Sequence, residues 1–168
     1  GEPLDNYDNV MKAIRIINSK QGLNIGARRI TISTSGLIPQ IERLSREGIQ
    51  IELSVSLHSA DESVRSGLMP VNKKYPLKQL IPACKAYRQY TGRQVTFEYI
   101  LIDKVNSSLA DAKKLATIIH GFDCKVNLIP MNSHELLDMS PPPGRDITQF
   151  RDVLIKAGIP ATVRKSRG

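Results

Sequence analysis

Runs that read as strands take turns with helical stripes five times along this chain. That rhythm constrains the fold more than any other feature. Strands separated by helices pair in parallel, and the crossovers between them are right-handed. The clearest strand carries Ile51, Leu53, Val55 and Leu57 in alternation with Glu52, Ser54 and Ser56. Further strands are read at 29–34, at 94–101 with Val95, Phe97, Tyr99 and Leu101 on one side, at 125–129 and at 161–164. The helical stripes are Val10, Ala13, Ile14 and Ile17, with Asp5 as a cap; Ile38, Ile41 and Leu44; and Val64 and Leu68. Later ones are Leu77, Leu80, Ile81 and Cys84; Ala112, Leu115, Ala116 and Ile119, capped by Ser107 or Ser108; and Ile147, Phe150, Val153, Leu154 and Ala157. Residues 69–74 and 133–144 read as loops, the second holding Pro141, Pro142 and Pro143. The class is α/β, in one domain over 1–168. Periodicity fits a partial barrel and a doubly wound sheet equally.

With 168 residues, 40% of them hydrophobic, the chain can bury a real core. No apolar run reaches membrane length and no signal-peptide pattern opens the sequence, so a cytoplasmic setting is the default expectation. Cys84 and Cys124 stand far apart, with neither disulfide nor metal spacing, and are expected as buried thiols. The net charge of +8 points to a polyanionic partner, nucleic acid before membrane. Basic residues gather at Arg28 and Arg29, Lys73 and Lys74, Lys113 and Lys114, and Arg164, Lys165 and Arg167. Each such pair alone is more often a solvated face than a site. Aromatics are too few, at 5%, to stack bases on a sheet.

Several polar residues fall where strands should end: Ser33 with Ser35, Ser56 with His58, Asp103 with Asn106, and Asn132. Parallel strands bring all of them to one rim, where ligands of such folds bind. The plain alternative is that the hydroxyls and carboxylates cap the following helices. His58 alone is at least as readily structural as catalytic. Glu98 and Asn127 lie within strands, where the inner face of a barrel would hold them as partnered polar core. Neither a Walker loop nor the dinucleotide glycine pattern is present. A ligand would therefore be held by strand-end hydroxyls and amides, which suits a polar nucleoside or an amino-acid-like cofactor.

Five blocks follow one another in order: Gly1-Glu2-Pro3-Leu4; Arg29-Ile30-Thr31-Ile32-Ser33-Thr34-Ser35-Gly36; Ser56-Leu57-His58; Met69-Pro70-Val71-Asn72-Lys73-Lys74-Tyr75; and Cys124-Lys125-Val126-Asn127-Leu128-Ile129-Pro130-Met131-Asn132. Together they resemble the radical S-adenosylmethionine (SAM) adenine-C2 methyltransferases that modify 23S rRNA and tRNA. The resemblance covers nearly the whole chain. Residues 133–143 carry no family pattern, and Met131 stands where relatives often have another, frequently aromatic, residue. The resemblance implies a partial (β/α) barrel of the TIM type, truncated at both ends. It implies SAM contacts at Gly1, Glu2, Ser33, Ser56, Leu57, His58 and Asn132. With RNA as the partner, Lys73, Lys74, Arg164, Lys165 and Arg167 become the candidate phosphate contacts.

The family also uses a [4Fe–4S] cluster on a Cys-x-x-x-Cys-x-x-Cys motif, expected upstream of Gly1, and a methyl-carrying cysteine expected beyond the carboxy end. One SAM methylates that cysteine and a second is cleaved to a 5′-deoxyadenosyl radical. A methylene radical then attacks adenine C2, and another cysteine resolves the protein–RNA intermediate. Cys84 and Cys124 match none of these positions. No catalytic or metal-binding residue is expected in this chain, and the chain alone is expected to be inactive. An electron donor such as flavodoxin, a monomeric state and no membrane partner complete the expectations. The alternatives are a related adenine-C8 rRNA methyltransferase and a non-catalytic RNA-binding α/β module.

Overall fold

The computed structural model describes residues 1–132 and 139–164. Five strands form one parallel sheet: β1 (Thr31–Thr34), β2 (Glu52–Ser56), β3 (Val95–Leu101), β4 (Cys124–Pro130) and β5 (Ala161–Val163). Their spatial order is their chain order. That order decides between the two architectures left open by periodicity. A doubly wound sheet reverses direction at a switch point and carries helices on both faces. Here the order never reverses, so right-handed crossovers place every connecting helix on the same side, as in a barrel.

The helices are α1 (Tyr7–Asn18), α2 (Ile38–Ser45), α3 (Glu62–Leu68), α4 (Leu77–Thr91), α5 (Leu109–Ile118) and α6 (Gly144–Lys156). The strand residues facing them form the core. Leu53, Val55 and Leu57 of the β2 segment, and Val95, Phe97, Tyr99 and Leu101 of β3, are all fully buried. Each such side chain contributes about 1.5–3 kcal/mol through burial. Ile41 and Leu44 of α2 and Leu80, Cys84 and Tyr87 of α4 close over them. The opposite face of the sheet carries Ser33, Ser54, Ser56, Thr96, Glu98 and Asn127, and among the described residues no helix lies over it.

Local differences from the sequence reading have local causes. The first residues form a 3₁₀ turn, Pro3–Asn6, started by Pro3 and capped by the Glu2 carboxylate, which accepts from Leu4 N–H at 3.0 Å. Asp5 lies inside that turn, and α1 begins after Asn6 without a side-chain cap. The strand read from residue 29 starts at Thr31, because Ala27–Arg29 closes into another 3₁₀ turn. The supposed loop 69–74 contains a third, Pro70–Lys73. Of the two candidate caps of α5, Ser108 serves: its hydroxyl and the Asp111 carboxylate form a reciprocal capping box. Within 133–144, residues 133–138 lie outside the described residues.

Candidate functional site at the strand ends

The C-terminal ends of β1, β2 and β3 are tied into one rim by side chains that bond to backbone. Glu2 makes the first tie. Its Oε2 accepts from the N–H and the hydroxyl of Ser35, at 2.6 and 2.7 Å. This fastens the opening turn, with Gly1 and Glu2, to the end of β1. Gly36 follows at φ 109, and a Cβ there would meet Leu80 at 3.1 Å, so the bend requires glycine.

Arg65 makes the second tie, and sequence reasoning missed it. It projects from α3 and is fully buried. Its guanidinium donates to the carbonyls of Leu57 (3.1 Å), Ser35 (3.0 Å) and Ser56 (3.2 Å) and to Asn72 Oδ1 (2.5 Å). These acceptors offset the cost of taking the charge out of water. Asn72 is itself buried and donates to the Glu62 carbonyl, the Glu62 carboxylate and the Ser66 hydroxyl. The turn bearing Lys73 and Lys74 is thereby anchored to α3, and both lysines stay exposed.

Asn106 makes the third tie. Its amide donates to the His58 and Ile100 carbonyls, at 2.6 and 2.7 Å, and its Oδ1 accepts from Ile102 N–H at 2.8 Å. Asn106 is fully buried, so it shapes the rim from within, although the sequence groups it with Asp103 among the polar residues of the strand ends. Asp103 stands apart as well. It lines a separate cavity with Lys104, Ser107 and Asp146.

These ties place the predicted SAM residues as follows. Ser33 is exposed on the helix-free face, in register with Ser54. Ser56 is half-buried on that face, in register with Glu98. Leu57 points into the core with no exposure, and its N–H and C=O are already bonded to Glu98, Ser59 and Arg65. His58 and Asn132 share a cavity of about 360 Å³ whose walls include Ile100, Ile129 and Met131. An apolar slot with an imidazole and an amide at its edges is suited to a planar heterocycle.

His58 adopts φ 58, and its Nδ1 accepts from Ile100 N–H at 3.2 Å. The neutral ring then carries its proton on Nε2. Burial, aided by the nearby Arg65 charge, pulls the His58 pKa down to about 4. The imidazole is therefore a neutral hydrogen-bonding group at physiological pH.

Cys84 and Cys124 are buried, and burial pushes both thiols up to about 12. They are inert, with no thiolate to offer a metal. Among the described residues no group of three His, Cys, Asp or Glu side chains is placed to hold a metal ion. The residues present do not fit an iron–sulfur cluster. Arg164 is exposed at the end of β5, where its N–H donates to the Leu128 carbonyl at 2.8 Å. Lys165 and Arg167 lie outside the described residues.

Comparison with known proteins gives this geometry a context. The pattern of the radical SAM superfamily matches residues 1–116. The chain is 47% identical, over all of its 168 residues and 49% of the relative, to a probable dual-specificity RNA methyltransferase RlmN of Clostridium acetobutylicum. It is 48% identical to the protein of the same description in Geobacillus kaustophilus, covering 46% of it. The crystal structure of a radical SAM methyltransferase from Sphaerobacter thermophilus superposes with a TM-score of 0.96 at 50% identity, over all of this chain and 49% of that one. A domain of pyruvate-formate lyase-activating enzyme from Bacteroides vulgatus shares the fold, with a TM-score of 0.75 at 19% identity over 98% of this chain and 95% of that one. The chain spans about half the length of the curated relatives it matches.

Proposed function

The chain belongs to the radical SAM superfamily, and from that premise we propose that it is the SAM-holding part of a longer enzyme that methylates C2 of adenine in 23S rRNA and tRNA. The observation that carries the reading is the rim itself. Ser33, Ser56, His58 and Asn132 stand at the ends of β1, β2 and β4, and Glu2, Arg65 and Asn106 immobilise the backbone around them. The alignment with RlmN-type enzymes runs the full length of this chain and supports the same reading.

Each residue has a physical task in it. Gly1 and Glu2, held against Ser35, bring a carboxylate to the methionine end, where an ammonium group is attracted. The hydroxyls of Ser33 and Ser56 suit the ribose or the carboxylate. His58, neutral with a donor at Nε2, and the Asn132 amide suit the ring nitrogens of adenine, and Ile100 and Ile129 cover its faces. SAM supplies the methyl group and the radical chemistry, and the protein supplies orientation and shelter from side reactions.

Lys73, Lys74 and Arg164, with Lys165 and Arg167, take the phosphates of the RNA in this proposal. The same reading gives the enzyme a cytoplasmic setting, an electron donor such as flavodoxin and a monomeric state. Among the described residues no helix is long and apolar enough to cross a membrane.

The test is SAM binding by the longer enzyme. Ser56→Ala and Asn132→Ala should each weaken it by about 1–3 kcal/mol, the cost of leaving a buried polar ligand group without its partner. Equilibrium dialysis on the folded variants reads this directly, and unchanged affinity in both would make these residues structural. Cluster ligation is assigned outside this chain, whose cysteines do not fit it. A stoichiometric iron–sulfur centre reconstituted on the isolated chain would refute that assignment.

A further inference from the structure

A second cavity, of about 740 Å³, opens at the N-terminal ends of the strands, the end away from the SAM rim. Thr31 and Glu52 begin β1 and β2, Gln94 and Asp123 immediately precede β3 and β4, and all four line it. Glu98 lies in its wall. Glu98 Oε1 accepts from Ser54 Oγ at 2.9 Å and from Asn127 Nδ2 at 3.0 Å. Glu98 Oε2 is buried and finds no donor among the described residues. Arg93, in the same wall, pairs with Glu52 while its Nε is buried without an acceptor. One cavity thus holds an acceptor and a donor that are both incomplete. Such groups are costly to leave unpaired, and a native structure keeps few of them.

The charges of the wall select against an ionic occupant. Arg28, Arg93 and Lys125 line it together with Glu52, Glu98 and Asp123. Glu52 is taken by Arg93, and Asp123 by Arg88 at 2.9 Å. A phosphate entering here meets carboxylates, and a bare cation meets guanidinium groups. The space is also far larger than the roughly 30 Å³ that one water occupies. A neutral occupant that carries donors and acceptors side by side fits these walls. The peptide group is the commonest of that kind, with one N–H and one C=O per residue. Polypeptide for the purpose exists in the relatives. The chain spans 49% of the Clostridium acetobutylicum protein and 49% of the Sphaerobacter thermophilus structure, so about half of each lies outside the matched part.

We propose that a segment of the longer polypeptide, from outside residues 1–168, enters this cavity and plugs the lower mouth of the barrel, its backbone N–H bonded to Glu98 and its C=O to Arg93. The proposal rests on reading the chain as one part of a longer enzyme and on no choice of substrate. A tethered segment reaches millimolar effective concentration when its linker is short and flexible, which favours it over a free partner. The plug has a use at the other end of the strands. It keeps bulk water off the helix-free face beneath the rim, and an active site closed to water is protected from side reactions.

Photo-cross-linking of the full-length enzyme tests this. A diazirine analogue of lysine replaces Lys125, inside the cavity, and in a second variant Lys104, whose side chain is 90% exposed beyond the other end of β3. Both variants are irradiated without SAM or RNA, as a mixture of isotopically light and heavy protein, and the products are mapped by mass spectrometry. Position 125 should yield an intrachain cross-link to one peptide outside residues 1–168, at least about tenfold above position 104, because a tethered plug stays in place. No such product from position 125 overturns the proposal and leaves the cavity to solvent. A product that joins light to heavy chains assigns the cavity to a second copy and overturns it too. So does a cross-link that forms only to added RNA. Melting temperatures equal to wild type show that both variants are folded. SAM binding and C2 methylation are measured separately on the wild type, so the proposed function stands or falls by those results and not by the cross-link.

Discussion

His58 shows how one residue joins the backbone to the site. Its positive φ is a conformation that most side chains avoid, and Asn is among the few that tolerate it. Burial holds its folded pKa at about 4, below an unfolded value of about 6.5. Between those values the unfolded chain takes up a proton that the folded chain refuses. The stability tied to the neutral ring is therefore complete above about pH 6.5 and is lost as pH falls toward about 4, by no more than about 3 kcal/mol. His58→Asn keeps the positive φ and offers Oδ1 to Ile100 N–H, so it should flatten this part of the pH profile. Urea titrations across the window check it, and a variant with the wild-type slope would move the effect to other groups. Ser56 and His58 were visible in the sequence because small polar residues at a strand end are poor core material. Arg65 was not. A charged residue in a short capped helix reads as solvent-facing, and only the three-dimensional meeting of the Ser35, Ser56 and Leu57 carbonyls explains its burial.

Among the elements, the loop after β3 illustrates why strand ends are ambiguous from sequence. Asn106 and Asp103 both stand just past an apolar run, yet one is inside and the other lines a separate hollow. What separates them is the destination of their hydrogen bonds, which spacing does not encode. Asn106→Ala would leave the Ile102 N–H and the His58 carbonyl without that partner, and should cost about 2–4 kcal/mol. Thermal unfolding measures this, and a loss below the scale of one hydrogen bond would show that water replaces the amide. The strands themselves were legible because alternation survives any context. Their starts were less so: Ile30 extends the apolar run of β1, while Ala27–Arg29 already turns.

At the scale of the whole molecule, a charge of +8 is a statement about partners, not about fold. Lys73 and Lys74 are exposed on a turn that Asn72 holds in place, so their charge is presented without loosening the structure. Replacing both with Ala in the full-length enzyme should weaken RNA binding and lower its salt dependence by about one to two units, with SAM binding intact. A slope equal to wild type would reduce the pair to solvation of a surface turn. The sheet order has a further consequence, for how the molecule comes into being. Because each strand pairs only with its neighbours in the sequence, the core can be laid down in the order of synthesis. Each new βα unit finds its docking edge already made behind it. No part of this sheet has to wait, exposed, for a distant piece of the chain.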